Sequence, residues 1–161
     1  MKVRKYLFII LTLAWTIAIF SFSMQTGESS DDMSIGFLHK VVQVIAPGLM
    51  DELEALPQEH LSTLNFLVRK AAHFTEYFLL GCLSMISLIQ VNIPRKKLWG
   101  ILYCVLIAGM DELLQLFVSG RAGRFTDVFL DSIGAVCGIW LICYVYGMRC
   151  LKTLKIFAKK L

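Results

Sequence analysis

The sequence carries little charge and lacks the patterns of several soluble protein classes. Only 17% of its 161 residues are charged, whereas 57% are hydrophobic, which is more than the usual apolar share of a soluble domain. Its five cysteines form no Cys-x-x-Cys pair, so neither a disulfide framework nor a zinc motif is predicted. No activated serine or cysteine arrangement and no phosphate-cradling glycine loop is present either. What remains to be explained is the length of its apolar segments.

Four segments are long and apolar enough to predict membrane-spanning helices, since a span needs roughly 20 mostly apolar residues. They cover residues 6–23, 71–91, 98–118 and 128–148. A soluble helical protein is the alternative, but its helices would show polar faces recurring every 3.6 residues. Residues 77–89 and 98–110 show none. We therefore predict an all-α fold, a polytopic membrane bundle of four transmembrane helices that forms a single domain over residues 1–161.

The first segment also has the basic start and apolar centre of a signal peptide. An uncleaved first span is favoured because no small-x-small cleavage site follows it and because its apolar run is long for a signal peptide.

Three clusters of basic residues lie on one side of the four predicted spans. They precede the first span, form residues 95–97 between the second and third spans, and recur in the tail at 149–161. The positive-inside rule places this side in the cytoplasm, so both termini are predicted to be cytoplasmic. The lysines of the tail alternate with apolar residues, which predicts an interfacial helix on anionic lipid or a simple topology anchor.

The loop at residues 24–68 is then predicted to lie outside and to contain amphipathic helices. Ser30 or Asp31 is a candidate N-cap. Residues 35–46 place apolar side chains at helical spacing and end before Pro47, and a second short helix is predicted to run from Gln58 into the second span.

Polar residues recur inside three of the predicted spans. Those of the second span are His73, Glu76 and Tyr77, with Lys70 just before it. The third span contains Asp111, Glu112 and Gln115. The fourth contains Asp131, with Asp127 just before it and Arg121 and Arg124 in the preceding loop. If the third helix ends near Ser119, Asp111 lies roughly 12 Å inside it at the helical rise of about 1.5 Å per residue. The other polar residues come to a similar depth, in the outer half of the bilayer. Gly134 and Gly138 continue the face of Asp131 as a small-xxx-small pattern that permits close helix contact.

A charged side chain facing lipid at the centre of a span costs about 2.5–3.5 kcal/mol. These groups are therefore expected to face one another, to pair with basic residues or to line a wet cavity. Pairs that merely fix helix register are the alternative, but such buried pairs stabilise little and so many groups at one depth are a costly way to join helices. A functional pocket is favoured.

The residue types indicate acid–base chemistry in that pocket. His73 would be the acid or base, Glu76 its orienting carboxylate, and Asp111 or Glu112 a second carboxylate. A metal site built from the same residues is not favoured, because their spacing matches no recognised ligand motif.

Ligand binding is assigned to a second set of residues. Arg121 and Arg124 have the forked guanidinium that suits phosphate or carboxylate. Lys70, Tyr77, Gln115, Asp127 and Asp131 complete the set of candidate ligand-binding residues. No cofactor is predicted.

Two blocks of the sequence resemble the signature blocks of VanZ-like membrane proteins. They are RKAAHFTEYFLLG at residues 69–81 and DELLQLFVSGRAGRFTDVFLDSIGAVCG at residues 111–138. The matching residues are Lys70, His73, Phe74, Glu76, Tyr77 and Gly81 in the first block, and Asp111, Glu112, Gln115, Phe117, Gly120, Arg121, Asp127, Asp131, Gly134 and Gly138 in the second. The segment FSFSMQTGESS at residues 20–30 resembles a third family pattern, F-S-x-Q-x-G-x-x-S.

The resemblance implies a multi-pass protein of the bacterial cell membrane, in a family whose founding members are associated with reduced susceptibility to teicoplanin-type lipoglycopeptides. Three functions stay open. The protein would bind or shield a membrane lipid, a lipid-linked cell-wall precursor or a lipoglycopeptide; it would be an enzyme that modifies such a lipid by histidine–carboxylate chemistry; or it would be a small proton-coupled transporter or flippase component. No nucleic-acid partner is expected, and the sequence leaves open the oligomeric state and whether the protein is an enzyme.

Overall fold

A computed structural model describes the backbone of residues 2–121 and 123–158 and the side chains of residues 6–121 and 123–148. Within these residues the chain forms six α-helices, one short 3-10 turn and no strand, which confirms the predicted all-α fold. The helices are α1 (Lys2–Ser23), α2 (Gly27–Ile45), α3 (Met50–Glu54), α4 (Gln58–Val91), α5 (Lys96–Gln115) and α6 (Phe125–Ala158), and the turn is Pro47–Leu49.

Four of these helices, α1, α4, α5 and α6, are long and apolar enough to cross a membrane. The 34 residues of α4 measure about 51 Å at the helical rise, well beyond a hydrocarbon core of about 30 Å. The N-terminal turns of α4 therefore extend past the span expected at residues 71–91. At the other end of the chain, the predicted interfacial tail continues α6 as far as Ala158; its side chains and residues 159–161 lie outside the described residues.

Helix α5 ends at Gln115, earlier than the sequence suggested. The next residues form tighter i→i+3 hydrogen bonds, such as Val118 N–H to the carbonyl of Gln115 at 3.2 Å, and Gly120 then turns the chain with φ +73°. Asp111 consequently lies about 6 Å from the helix end, so the expected depth of about 12 Å was wrong.

The centre of the bundle is the contact between α4 and α6. Gly134 lies against the carbonyl of Phe74 and Gly138 against that of Phe78, so that an added Cβ would meet these oxygens at 2.6 and 2.1 Å. The paired residue numbers rise together along both helices, which shows that α4 and α6 run parallel. The small-xxx-small face of α6 thus lets the two backbones approach directly.

Helix α1 is joined to α4 and α5 through hydroxyl groups. The Thr12 and Ser87 hydroxyls are 2.9 Å apart, and the Thr16 hydroxyl lies 2.7 Å from that of Tyr103. Interhelical hydrogen bonds of this kind hold spans together where no hydrophobic effect acts between them. The uncharged first span therefore presents a polar face to α4 and α5.

The outside of the bundle is apolar. Ile17 is 66% exposed, Leu106 62% and Phe129 69%, and contiguous apolar surface of this kind marks contact with a partner or with lipid. Lys97 Nζ lies 5.2 Å from the ring centroid of Trp140, and aromatic and basic side chains are typical of a membrane interface. The architecture therefore fits a multi-pass membrane protein.

Helix α2 packs beside the end of the bundle formed by Ser23, Gln115 and Phe125, which we call the α2 end. Its N-cap is Thr26, whose side chain accepts from the Ser29 amide at 3.3 Å. The caps expected at Ser30 or Asp31 were wrong because the helix begins at Gly27, three residues before the first of them. Beyond α3, the helix expected to start at Gln58 is the first part of α4.

The corner between α1 and α2 is fastened to the loop between α5 and α6. The Gly27 amide donates to the carbonyl of Ser119 at 3.0 Å. Arg121 donates from Nε to the carbonyl of Gln25 at 3.1 Å and from Nη2 to that of Phe22 at 3.2 Å. These bonds fix the position of α2 relative to the spans.

Candidate functional site

Four acid–base side chains from three helices meet at the α2 end of the bundle. His73 of α4, Asp111 and Glu112 of α5 and Asp131 of α6 each offer one nitrogen or oxygen within 4.8 Å of the other three. The carboxylates are deeply buried, with exposures of 0% for Asp111, 5% for Glu112 and 0% for Asp131. We call this group the carboxylate–histidine cluster.

The fold explains why these residues coincide. Asp111 is one turn before the end of α5, and Asp131 lies about 9 Å inside the start of α6 at the helical rise. Because α4 and α6 run parallel with closely packed backbones, His73 and Asp131 come to the same level. The cluster is thus produced by helix ends and by the glycine-mediated packing, not by any short sequence motif.

The carboxylate within 4 Å of His73 belongs to Asp131. His73 Nδ1 lies 3.7 Å from Asp131 Oδ1, which is longer than a hydrogen bond. Glu76, the orienting residue expected from the sequence, is not part of the cluster and instead lines a groove beside α4. Sequence spacing placed Glu76 near His73 on one helix, but packing against α6 brings Asp131 closer.

Glu112 and Asp111 each accept a hydrogen bond on one of their two carboxylate oxygens. Glu112 Oε2 accepts from the backbone N–H of Arg124 at 2.8 Å. Asp111 Oδ2 accepts from Gln115 Nε2 at 3.4 Å, and the same amide nitrogen donates to the Ser23 hydroxyl at 3.3 Å. Gln115, a candidate ligand-binding residue, orients Asp111 and ties α5 to α1, and its role in binding a ligand stays a prediction.

Lys70 and Asp127 form an ion pair one turn from His73 and Asp131 on the same two helices. Both residues were expected to bind a ligand. The structure pairs them with each other, so they connect α4 to α6 at the entrance to the cluster. Tyr77, one turn further along α4, is fully buried, and its hydroxyl has no hydrogen-bond partner among the residues that the structure describes.

Breaking the Lys70–Asp127 pair on one side is expected to destabilise the protein more than replacing both residues. Lys70→Met or Asp127→Leu leaves one charge uncompensated, which costs about 3–5 kcal/mol in a fully buried pair. Because these side chains are 22% and 14% exposed, we expect about 2 kcal/mol. Melting temperatures of the two single variants and the double variant test this, with Arg69→Met at the more exposed Arg69–Asp31 pair as the control. Strictly additive losses would contradict it.

An apolar groove of about 470 Å³ lies beside the cluster, between α1, α2 and α4. Its walls include Trp15 and Phe22 of α1 and Met33 and Phe37 of α2, and His73 and Glu76 reach it from α4. His73 therefore belongs both to the groove and to the cluster, and connects the two.

Two arginines line the groove, Arg69 and Arg121. Arg69 Nη1 donates to Asp31 Oδ1 at 2.8 Å. Burial lowers the pKa of Arg121 from its ordinary value, and the positive charge of Arg69 lowers it further; the guanidinium stays charged at neutral pH. Arg124, expected beside Arg121, has an exposed side chain outside the groove lining, and it contributes its backbone N–H to the cluster.

Ser23, Gly27 and Arg69 belong to this region but were not among the candidate site residues chosen from the sequence. Ser23 and Gly27 belong to the third family pattern at residues 20–30, which was therefore the available signal. Arg69 shares a helix face with His73 by its i, i+4 spacing, which was a further signal.

The chain matches the family model described as VanZ/LLP1 over residues 8–146, which is most of its length. It belongs to the VanZ/LLP1 family. The matched region of this VanZ/LLP1 protein contains all four cluster residues, both groove arginines and the anchored corner of α2. No curated protein and no solved structure matches the chain.

Proposed function

We propose that this VanZ/LLP1 protein binds an anionic amphiphile of the bacterial envelope, with the tail in the groove and the head group at Arg69 and Arg121. The observation that carries the proposal is the composition of the groove, whose walls are apolar and whose lining includes two guanidinium groups. Membrane lipids, lipid-linked cell-wall precursors and lipoglycopeptides share this chemistry. Binding or shielding of one of them would link the protein to teicoplanin-type resistance or to the handling of envelope lipids.

The walls of the groove support a lipid tail as the apolar part of the ligand. Pockets for small molecules are mostly apolar, with a few placed polar groups that fix orientation. Trp15, Phe22, Met33, Phe37 and Leu79 provide apolar surface from three helices. A tail entering from the bilayer would exchange one apolar environment for another, so the head group must provide the selectivity.

The two arginines have hydrogen-bonding capacity left for an anion. A guanidinium carries five N–H donors, of which Arg121 uses two on the carbonyls of Phe22 and Gln25. Arg69 has one described bond, to Asp31. Guanidinium groups bind carboxylates and phosphates through paired, charge-assisted hydrogen bonds, so two of them beside an apolar groove favour an anionic head group.

The proposed orientation places the groove in the outer leaflet. The basic segments at residues 95–97 and in the tail favour cytoplasmic termini by the positive-inside rule, and the α2 end lies at the opposite end of the spans. The ligand would then reach the groove from the outer leaflet, where cell-wall precursors are used and lipoglycopeptides act.

Ligand retention by the purified protein tests this proposal. Ala72→Trp fills the groove from α4, and Arg69→Gln removes one positive charge; Leu67→Trp, on the same helix but outside the groove lining, is the control. We expect each groove variant to retain at least about fivefold less ligand, since one buried contact contributes roughly 1 kcal/mol or more. Equal retention by Leu67→Trp, Ala72→Trp and Arg69→Gln would rule the groove out.

Native mass spectrometry on nanodiscs distinguishes the ligand sources in three arms. They contain phosphatidylglycerol, an undecaprenyl-diphosphate-linked precursor, or teicoplanin, with a glycopeptide lacking the acyl chain as the matched control for the third arm. Selective retention in one arm identifies the source. Retention of the acyl-free glycopeptide as strongly as teicoplanin would contradict a role for the apolar walls.

Catalysis is the second candidate function, and one observation favours it. His73 lines the groove and also belongs to the carboxylate–histidine cluster, so an acid–base group would meet a bound head group. In the same experiment, a mass change in the retained lipid that His73→Ala abolishes would support this function. If the lipid is recovered unchanged from the wild-type protein, catalysis is excluded and binding remains as the proposed function.

A further inference from the structure

We propose that the carboxylate–histidine cluster of His73, Asp111, Glu112 and Asp131 is a binding site for one divalent transition-metal cation. This inference does not rest on the proposed binding of an amphiphile, because the cluster lies beside the groove and is formed by different residues, except for His73.

The first support is the spacing of the donor atoms. All four residues place a nitrogen or oxygen within 4.8 Å of one another. Ligands bound at about 2.0–2.2 Å from a metal ion lie at most about 4.4 Å apart. Four ligands arranged as a tetrahedron around an ion lie about 3.4 Å apart. Each of the four donor atoms therefore needs to move inward by less than about 1 Å to surround an ion.

The second support is a set of buried atoms without partners. Asp111 Oδ1, Glu112 Oε1, both carboxylate oxygens of Asp131 and His73 Nδ1 have no hydrogen-bond partner among the described residues. Asp111 and Asp131 are fully buried, and Glu112 is 5% exposed. A buried polar atom left unpaired costs about 1–3 kcal/mol, and more if it is charged. A single ion would satisfy one donor atom from each residue.

The third support is the local balance of charge. The basic side chains nearest along α4 are already paired, Arg69 with Asp31 and Lys70 with Asp127. In the described part of the chain, no lysine or arginine pairs with Asp111, Glu112 or Asp131. Three carboxylates this close repel one another strongly away from water. A divalent cation would compensate this charge, as buried carboxylates require.

The cluster also has the outer contacts that orient metal ligands. The Arg124 amide holds one oxygen of Glu112 and the Gln115 amide holds one oxygen of Asp111, leaving the other oxygen of each free. Partners of this kind fix the direction of the ligating atoms and contribute about 10–100-fold to metal affinity.

The donor set indicates the class of ion. One imidazole nitrogen with three carboxylate oxygens suits Zn²⁺, Mn²⁺ or Fe²⁺ better than Ca²⁺, which prefers six to eight oxygen ligands. His73 lines the groove and its side chain is 14% exposed, which gives the ion an entry path. The face toward the groove would also be the open position at which a ligand head group or water could bind the metal.

Metal titration of the purified full-length protein tests the site. Protein stripped with a chelator is titrated with Mn²⁺ and followed by electron paramagnetic resonance, and bound Zn²⁺ is counted after separate reconstitution. We expect one equivalent of either ion per chain, and at least about tenfold weaker binding in Asp131→Asn and Asp111→Asn. Asp31→Asn removes a carboxylate outside the cluster and should bind as the wild type does.

Failure to bind either ion stoichiometrically in the wild-type protein overturns the proposal, as does equal affinity in all three variants. If Asp131→Asn does not fold, Glu112→Gln and the wild-type melting curve decide the question. Saturating metal should raise the wild-type melting temperature by about 5 °C or more, and no rise would count against a folded metal site. Protein that retains amphiphile but binds neither ion overturns only the metal site, whereas protein that binds the ion but retains no amphiphile overturns only the proposed binding.

Discussion

Gly138→Val is expected to lower the melting temperature of the purified protein by roughly 10 °C. A Cβ at this position would lie 2.1 Å from the carbonyl oxygen of Phe78 and 3.0 Å from the amide nitrogen of Cys82. Both atoms belong to the backbone of α4, so no side-chain rotation relieves the overlap. Overpacking a well-packed interior costs about 1–3 kcal/mol and occasionally more, and we expect about 3 kcal/mol here because an entire helix must move.

The matched control is Gly109→Val, the same substitution in α5, where an added Cβ has no neighbour within 4 Å. It measures the helix propensity of valine and should shift the melting temperature by a few degrees at most. In Gly138→Val, displacement of α6 should also separate Asp131 from His73 and weaken Mn²⁺ binding. Similar melting temperatures for the two variants would contradict the close packing of α4 on α6.

Gly27→Val is expected to release α2 from the bundle while the four spans stay folded. A Cβ at Gly27 would lie 2.2 Å from the carbonyl oxygen of Gly120, so the hydrogen bond from the Gly27 amide to Ser119 must break. Local opening changes by about tenfold for each 1.4 kcal/mol lost. We therefore expect trypsin to cleave after Lys40, in the C-terminal half of α2, on the order of tenfold faster.

Gly36→Val provides the comparison for this second variant, because it lies in the same helix and an added Cβ there has no neighbour within 4 Å. Its cleavage rate at Lys40 should stay near that of the wild type. Because α2 forms one wall of the groove, Gly27→Val should also reduce amphiphile retention without changing the melting temperature much. Equal cleavage rates in the two variants would show that the contact between Gly27 and Gly120 does not hold α2.

Much of the fold follows from the sequence because the membrane imposes a simple rule. A spanning helix satisfies its own backbone hydrogen bonds and presents apolar side chains to lipid, so runs such as residues 6–23 indicate helices without knowledge of their partners. The same rule made the internal carboxylates conspicuous, since a charge such as that of Asp111 needs a partner or a cavity. Hydropathy therefore indicated both the helices and the region where polar groups meet.

The partners within that region depend on packing that the sequence pattern does not contain. Helical spacing relates Glu76 to His73 on one helix, but it carries no information about the level at which α6 crosses α4. The contacts of Gly134 and Gly138 set that level, and they bring Asp131 within 3.7 Å of His73. The sequence indicated that these glycines permit close contact, but not which helix they contact.

The loop between α5 and α6 was the least predictable part of the region. Its arginines were expected to act through their side chains, yet Arg124 contributes its backbone N–H, which every residue except proline carries. Arg121 uses two of its N–H donors on backbone carbonyls of the α1–α2 corner. When a residue acts through its main-chain N–H, its side-chain type does not indicate that role.

This loop also connects the wall of the groove with the cluster. On one side Ser119 and Arg121 bind the corner from which α2 begins; on the other, the Arg124 amide holds Glu112 at 2.8 Å. A ligand in the groove that displaces α2 would also displace residues 119–124, the segment that positions the carboxylate of Glu112. Linkage is reciprocal for binding free energies. A metal ion bound at the cluster would therefore change the affinity of the groove for its amphiphile by the same factor.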